Sequence, residues 1–114
     1  MTDDRTLSPA ELKRMKVLVV DPNTYMRGVV ADSLRRLTVT NINATASSME
    51  AFTVGRTFKP DIIFVDWDAG RMSGLEFTRE VRRNTTGISR ETPIILLAGV
   101  IDETEAQRRR GELA

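Results

Sequence analysis

Two aspartates each close a run of apolar residues. Asp21 follows Val17-Leu18-Val19-Val20, and Asp66 follows Ile62-Ile63-Phe64-Val65. Asp68 comes two positions later, on a loop punctuated by Gly70 and Gly74. An acid placed this way has three uses. It can hold a loop through hydrogen bonds, ligate a hard cation such as magnesium, or attack an electrophile such as phosphorus. The chain has no Cys and no His, which removes thiol nucleophiles, disulfides and ordinary zinc sites and leaves carboxylates as the charged ligands.

A second group with chemistry is Arg108-Arg109-Arg110, followed by Gly111 and Glu112. Fourteen of the 17 basic residues are Arg, whose planar fork pairs with phosphate and stacks on aromatic rings. Consecutive helical residues point about 100° apart, so all three would meet one small ligand only where the helix ends, at Gly111. The plainer readings are Arg-rich codon usage and a solvated basic face that suits a helix C-terminus. Arg71 and Arg90 are expected to flank the same end of the sheet as the aspartates, with a smaller role.

These residues need a frame, and the hydrophobic pattern supplies one. Within 114 residues there is room for one domain with a modest core. Apolar runs at 17–20, 61–65 and 94–97 read as strands buried on both faces, and 41–46 as a weaker, peripheral strand. Ser8-Pro9-Ala10-Glu11 is a capping signature for a short helix ending near Arg14. Further helices are expected over 23–37, with Met26, Val29, Val30, Leu34 and Leu37 as its apolar stripe, and over 48–58, with Phe52 and Phe58 buried. Others are expected over 73–83 and from 102 to the end. Residues 84–92 read as a polar loop. Strand–helix alternation with apolar strands implies an α/β, doubly wound parallel sheet, whose ligand crevice lies beyond the carboxyl ends of the strands. Asp21, Asp66 and Ala98 then meet at one crevice.

The formal net charge of +1 is too small for general nucleic-acid binding. No apolar run is long enough to span a membrane, and the first residues do not form a secretory leader. A cytoplasmic protein is expected, with no membrane insertion.

The stretches Val19-Val20-Asp21 with Met26-Arg27, Asp61-Ile62-Ile63-Phe64-Val65-Asp66-Trp67, Met72-Ser73-Gly74-Leu75-Glu76-Phe77 and Thr92-Pro93-Ile94-Ile95 together resemble the CheY-like receiver domains of bacterial two-component systems. The resemblance runs from residue 16 to about 113. It implies a flavodoxin/CheY-like sheet of order 2-1-3-4-5, a phospho-acceptor at Asp66, and magnesium held by Asp21, Asp66 and the carbonyl of Asp68. Four departures stand out. Pro22 replaces the second metal-binding acid, Gly70 stands in place of a common Pro, and Ala98 occupies the switch position of a Ser or Thr. The fifth strand, last helix and phosphate-pairing Lys of the family would lie beyond residue 114. The side chain of Asp68 is a candidate substitute ligand.

The organisation expected is an N-terminal extension with a short helix over 1–15 and a receiver-like domain, incomplete at its C-terminus, over 16–114. The strand at 94–97 would then form an open edge, covered by a dimer mate, a swapped segment or a partner. The function expected is an atypical, non-enzymatic signalling module that switches a protein–protein contact. Its leading input is an anionic nucleotide second messenger, cyclic di-GMP, held by Arg108, Arg109 and Arg110, since some eroded members of the family resemble the chain in this respect. The alternative is an ordinary response regulator phosphorylated on Asp66 by a histidine kinase, and the third is a constitutive scaffold.

Overall fold

Each apolar run becomes a strand of one parallel sheet in a computed structural model of the chain, which describes residues 7–98. The elements in order are α1 (Pro9–Arg14), β1 (Lys16–Val20), α2 (Thr24–Arg36), β2 (Asn41–Thr45), α3 (Ser48–Phe58), β3 (Ile62–Asp66), α4 (Gly74–Arg82) and β4 (Ile94–Leu97). The sheet order is β2-β1-β3-β4, the doubly wound arrangement expected from the sequence. The helix expected from residue 102 and the Arg cluster lie outside the described residues.

Local chemistry starts the helices. Ser8, Asn23, Ser47 and Ser73 each accept a hydrogen bond from the backbone N–H three residues on. Each such cap satisfies an amide that the helix itself leaves open, and contributes about 1 kcal/mol. At α1 the box is complete, with the Glu11 carboxylate reaching back to the Ser8 N–H.

The sheet splits the core into two layers. Leu18, Val20, Ile63 and Val65 face Ala51 and Phe52 of α3, Phe77 and Val81 of α4, and Ile88. The rings of Phe52 and Phe77 stack at 4.8 Å between centroids. On the other face, Val17 and Val19 pack with Leu34 and Val39, and Leu12 of α1 and Met15 just after it add to that layer. All of Val17–Val20 is fully buried, as befits the strand paired on both sides. Burial of each such side chain is worth roughly 1.5–3 kcal/mol.

Several expectations are corrected. Along α2, Val29 and Leu37 are exposed while Ala31 and Leu34 are buried, because a small residue lets the helix lie close to the sheet. Phe58 is half-buried at the end of α3. The strand β4 is not buried on both faces, since Ile95 is 41% exposed and β4 is the outermost strand among the described residues. The polar loop after α4 carries core: Ile88, Thr86 and Thr92 are buried, and Ile88 lies tight against Gly55. The Arg56 Nε donates to the Thr86 carbonyl at 3.1 Å. Arg82 Nη1 donates to the carbonyls of Arg90 and Thr92 at 2.7 Å each. Part of the Arg excess therefore serves as long-reach caps for loop carbonyls.

Candidate functional site

β1 and β3 are neighbours with Val20 opposite Val65. The next residue of each strand is an aspartate, so Asp21 and Asp66 lie side by side at the carboxyl edge of the sheet. This is the crevice that strand polarity assigns to ligands.

Asp21 is fastened from three directions and is 2% exposed. Its N–H donates to the Thr45 carbonyl at 3.0 Å, its Oδ1 accepts the Asn23 N–H at 2.9 Å, and its carbonyl accepts Arg27 Nη1 at 2.7 Å. Burying a carboxylate is costly unless hydrogen bonds or charges compensate, to which the Asn23 N–H contributes. The intervening Pro22 is exposed and brings no carboxylate to the site.

Asp66 is half-buried and does hold the loop after β3. Its Oδ2 accepts the Asp68 N–H at 3.0 Å, and Asp68 Oδ1 in turn accepts the Gly70 N–H at 3.1 Å. These successive side-chain turns use the ability of Asp to mimic a backbone carbonyl. Gly70 sits at φ +94°, where a β-carbon is strained, so Gly in place of Pro fits the turn. Further backbone bonds tie the loop to its neighbours. Trp67 N–H donates to Leu97 O at 2.8 Å, Ser48 N–H to Ala69 O at 2.9 Å, and Gly74 N–H to Trp67 O at 2.6 Å.

The metal donors expected from the sequence are only partly assembled. Among the described residues no group of three or more His, Cys, Asp or Glu gathers as a metal site. The Asp68 carboxylate, the candidate substitute ligand, is exposed, and its Oδ1 accepts the Gly70 N–H. The Asp68 carbonyl is not consumed by the small bridge formed with Ser73, whose bonds run between Ala69 and Met72 and between Gly74 and Trp67.

Ala98 directly follows β4 and is exposed. It lies beside the crevice, and its methyl offers no hydrogen bond. Arg71 is on the loop after β3, but Arg90 precedes β4 and so belongs to the opposite, amino end of the strands, a correction to its expected place. Arg27 is among the residues that carry the resemblance, but the sequence assigns it no role, although its signal, a base one turn into the helix after Asp21, is present. Arg108, Arg109 and Arg110 lie outside the described residues.

Strand order, the paired aspartates and the locked loop define a receiver fold. The family profile of the response regulator receiver domain matches residues 17–111. The chain belongs to that family. It is similar to chemotaxis protein CheY1 of Helicobacter pylori, 29% identical over 84 residues, which are 73% of this chain and 66% of that protein. A protein-glutamate methylesterase/protein-glutamine glutaminase of Methanococcus maripaludis is 30% identical over 90 residues, with 78% of this chain and 23% of the relative covered. The chain thus spans only part of the curated relatives it matches. Among solved structures, the receiver domain of the histidine kinase CKI1 from Arabidopsis thaliana, complexed with Mg2+ and BeF3-, superposes with a TM-score of 0.69 at 29% identity. It covers 91% of this chain and 78% of that one. Among the described residues no helix is long and apolar enough to cross a membrane.

Proposed function

We propose that this receiver module accepts a phosphoryl group on Asp66 from a histidine kinase and passes the change to a protein partner. The observation that carries the reading is the pairing of Asp66, half-buried at the end of β3, with buried Asp21 at the end of the adjoining β1. In the transfer, an oxygen of the Asp66 carboxylate bonds to phosphorus as the bond from phosphorus to the donor nitrogen breaks. The electron pair stays on that imidazole nitrogen, and the product on Asp66 is an acyl phosphate. The Asp66 carboxylate starts the step held by the Asp68 N–H, which fixes the direction it faces.

The oxygen-only donors suit a hard cation such as Mg2+. Asp21 and Asp66, with the Asp68 carbonyl, would hold it, and it would neutralise charge on the phosphoryl oxygens. With Pro22 in place of a liganding acid, this hold is weaker than in a site with both acids. With Ala98 at the switch position, no hydroxyl there grasps the phosphoryl group. Loss of a donor to a charged group removes about 1.5–3 kcal/mol, comparable with a typical coupling energy of about 1–3 kcal/mol. The change reaches the partner through the loop and helix starts fastened around Asp66 rather than through residue 98.

This order reverses the one read from the sequence. Cyclic di-GMP as input rests on Arg108, Arg109 and Arg110 alone, outside the described residues, whereas phosphorylation rests on side chains whose places are described. The test incubates the chain with acetyl phosphate and Mg2+ and looks by mass spectrometry for one added phosphoryl group, absent in Asp66→Asn. Calorimetric titration with cyclic di-GMP runs beside it. Heat of nucleotide binding without phosphorylation would restore the original order.

A further inference from the structure

We infer that Arg27 is a positioning residue that offsets the negative charge of the Asp21–Asp66 crevice and sets how the site divides its affinity between a cation and a phosphoryl group. The inference rests on the phosphoryl reading above. Arg27 is in the first turn of α2, its N–H donating to the Asn23 carbonyl at 2.9 Å. From there the side chain turns back towards β1, where Nη1 meets the Asp21 carbonyl at 2.7 Å. Nη2 lies 3.4 Å from the Thr24 hydroxyl, so the fork is held at two points and its direction is fixed. The residue is half-buried, which limits screening by solvent.

The guanidinium is a cation. Because the carbonyl and carboxylate of Asp21 belong to one residue, covalent geometry keeps the cation within about 7 Å of that carboxylate. At a partly buried site, a unit charge at such a distance alters the affinity of a second ion by about tenfold. The sign depends on the ion. A cation entering the crevice is repelled by Arg27, while the doubly charged phosphoryl donor is attracted.

Pro22 gives this balance its context. It removes a carboxylate from the site and, having no N–H, adds no donor to the β1–α2 turn, where the Asn23 N–H and Arg27 Nη1 both donate to Asp21. A site with fewer acids and a fixed base beside it relies less on the metal to receive an anion. Arg27 therefore takes over part of the charge neutralisation that a fully acidic site leaves to its cation.

The test separates charge from scaffolding because the two predict different signs. For Arg27→Gln, Mg2+ titration followed through Trp67 fluorescence is expected to show binding several-fold to tenfold tighter. Phosphorylation by acetyl phosphate is expected to slow by about tenfold, an oxygen of Asp66 bonding to phosphorus as acetate departs. A purely structural Arg27 would let Asp21 drift, and both quantities would weaken together; that outcome overturns the inference. Arg27→Lys keeps the charge and is expected to stay within a few-fold of the parent in both assays. It decides the matter even where the Gln variant fails to fold, since loss of both activities in the Lys variant also overturns the inference. A parent chain that takes no phosphoryl group overturns the phosphoryl reading, while the Mg2+ arm still decides the charge effect of Arg27.

Discussion

Gly74 rests against the carbonyl oxygen of Asp66, so close that a β-carbon at 74 would overlap it and also press on Leu96 Cδ2 at 2.7 Å. The first residue of α4 is thus seated on the backbone of Asp66. Gly74→Ala is expected to lower stability by about 1–3 kcal/mol through forced displacement of that backbone. Gly28, inside α2 with nothing within 4 Å of its β-carbon position, is the contrast. Gly28→Ala is expected to raise stability by about 0.5–1 kcal/mol, because Ala is the better helix former. Urea unfolding of the two variants checks both signs, and equal effects would refute the close contact.

Asp66→Asn is expected to lose phosphorylation altogether while folding like the parent. An amide oxygen in place of the carboxylate still accepts the Asp68 N–H, so the loop keeps its turn. Mass spectrometry after acetyl phosphate treatment reads the first part, and circular dichroism the second. A phosphorylated Asn variant would mean that the acceptor lies elsewhere.

Ile88 is expected to be the most sensitive position of the loop between α4 and β4. It is 2% exposed among Leu18, Phe52 and their neighbours, so Ile88→Ala should cost about 2–4 kcal/mol and Ile88→Val about 1 kcal/mol. A denaturation midpoint unchanged in the Ala variant would count against its place in the core.

Arg82→Met tests the carbonyl caps. The substitution keeps much of the stem and removes the two hydrogen bonds to residues 90 and 92. A loss of about 1–3 kcal/mol is expected, with the phosphorylation rate unaffected because the loop lies at the far end of the strands. A slower phosphorylation with unchanged stability would contradict this division.

The edge position of β4 among the described residues and the exposure of Ile95 lead us to propose that the chain associates through this strand. Light scattering over a concentration series is expected to show self-association, reduced in Ile95→Lys by the charge placed on the open face. Parent chain that stays monomeric at high concentration would end the idea.

The frame was legible because parallel strands buried on both faces write continuous apolar runs, and because Ser and Asn caps mark helix starts. Asp21 and Asp66 were legible for a related reason: strand polarity sends the residue after each run to the same edge. What stayed hidden depends on contacts distant in sequence. Ile88 sits alone among polar residues, and only its meeting with Gly55, more than thirty positions earlier, shows it as core. The exposure of Val29 follows from how α2 is rotated on the sheet, which periodicity alone leaves open by a fraction of a turn. Arg90 was placed at the wrong pole because a long loop gives no sign of which side of the sheet it crosses. The bond from the Gly70 N–H to Asp68 Oδ1 is likewise a turn contact that the sequence alone does not announce.

The middle position of β1 also bears on how the chain assembles as it is made. Among the described strands β1 comes first in the chain, β2 joins one of its sides, β3 the other, and β4 joins β3. Each later strand therefore adds to an edge that is already standing, and none must be inserted between two paired neighbours. The register separates Val17 from Ile42 by 25 positions and from Ile62 by 45, so the shorter closure is available first. Strand addition in chain order would therefore meet a template at each of these steps.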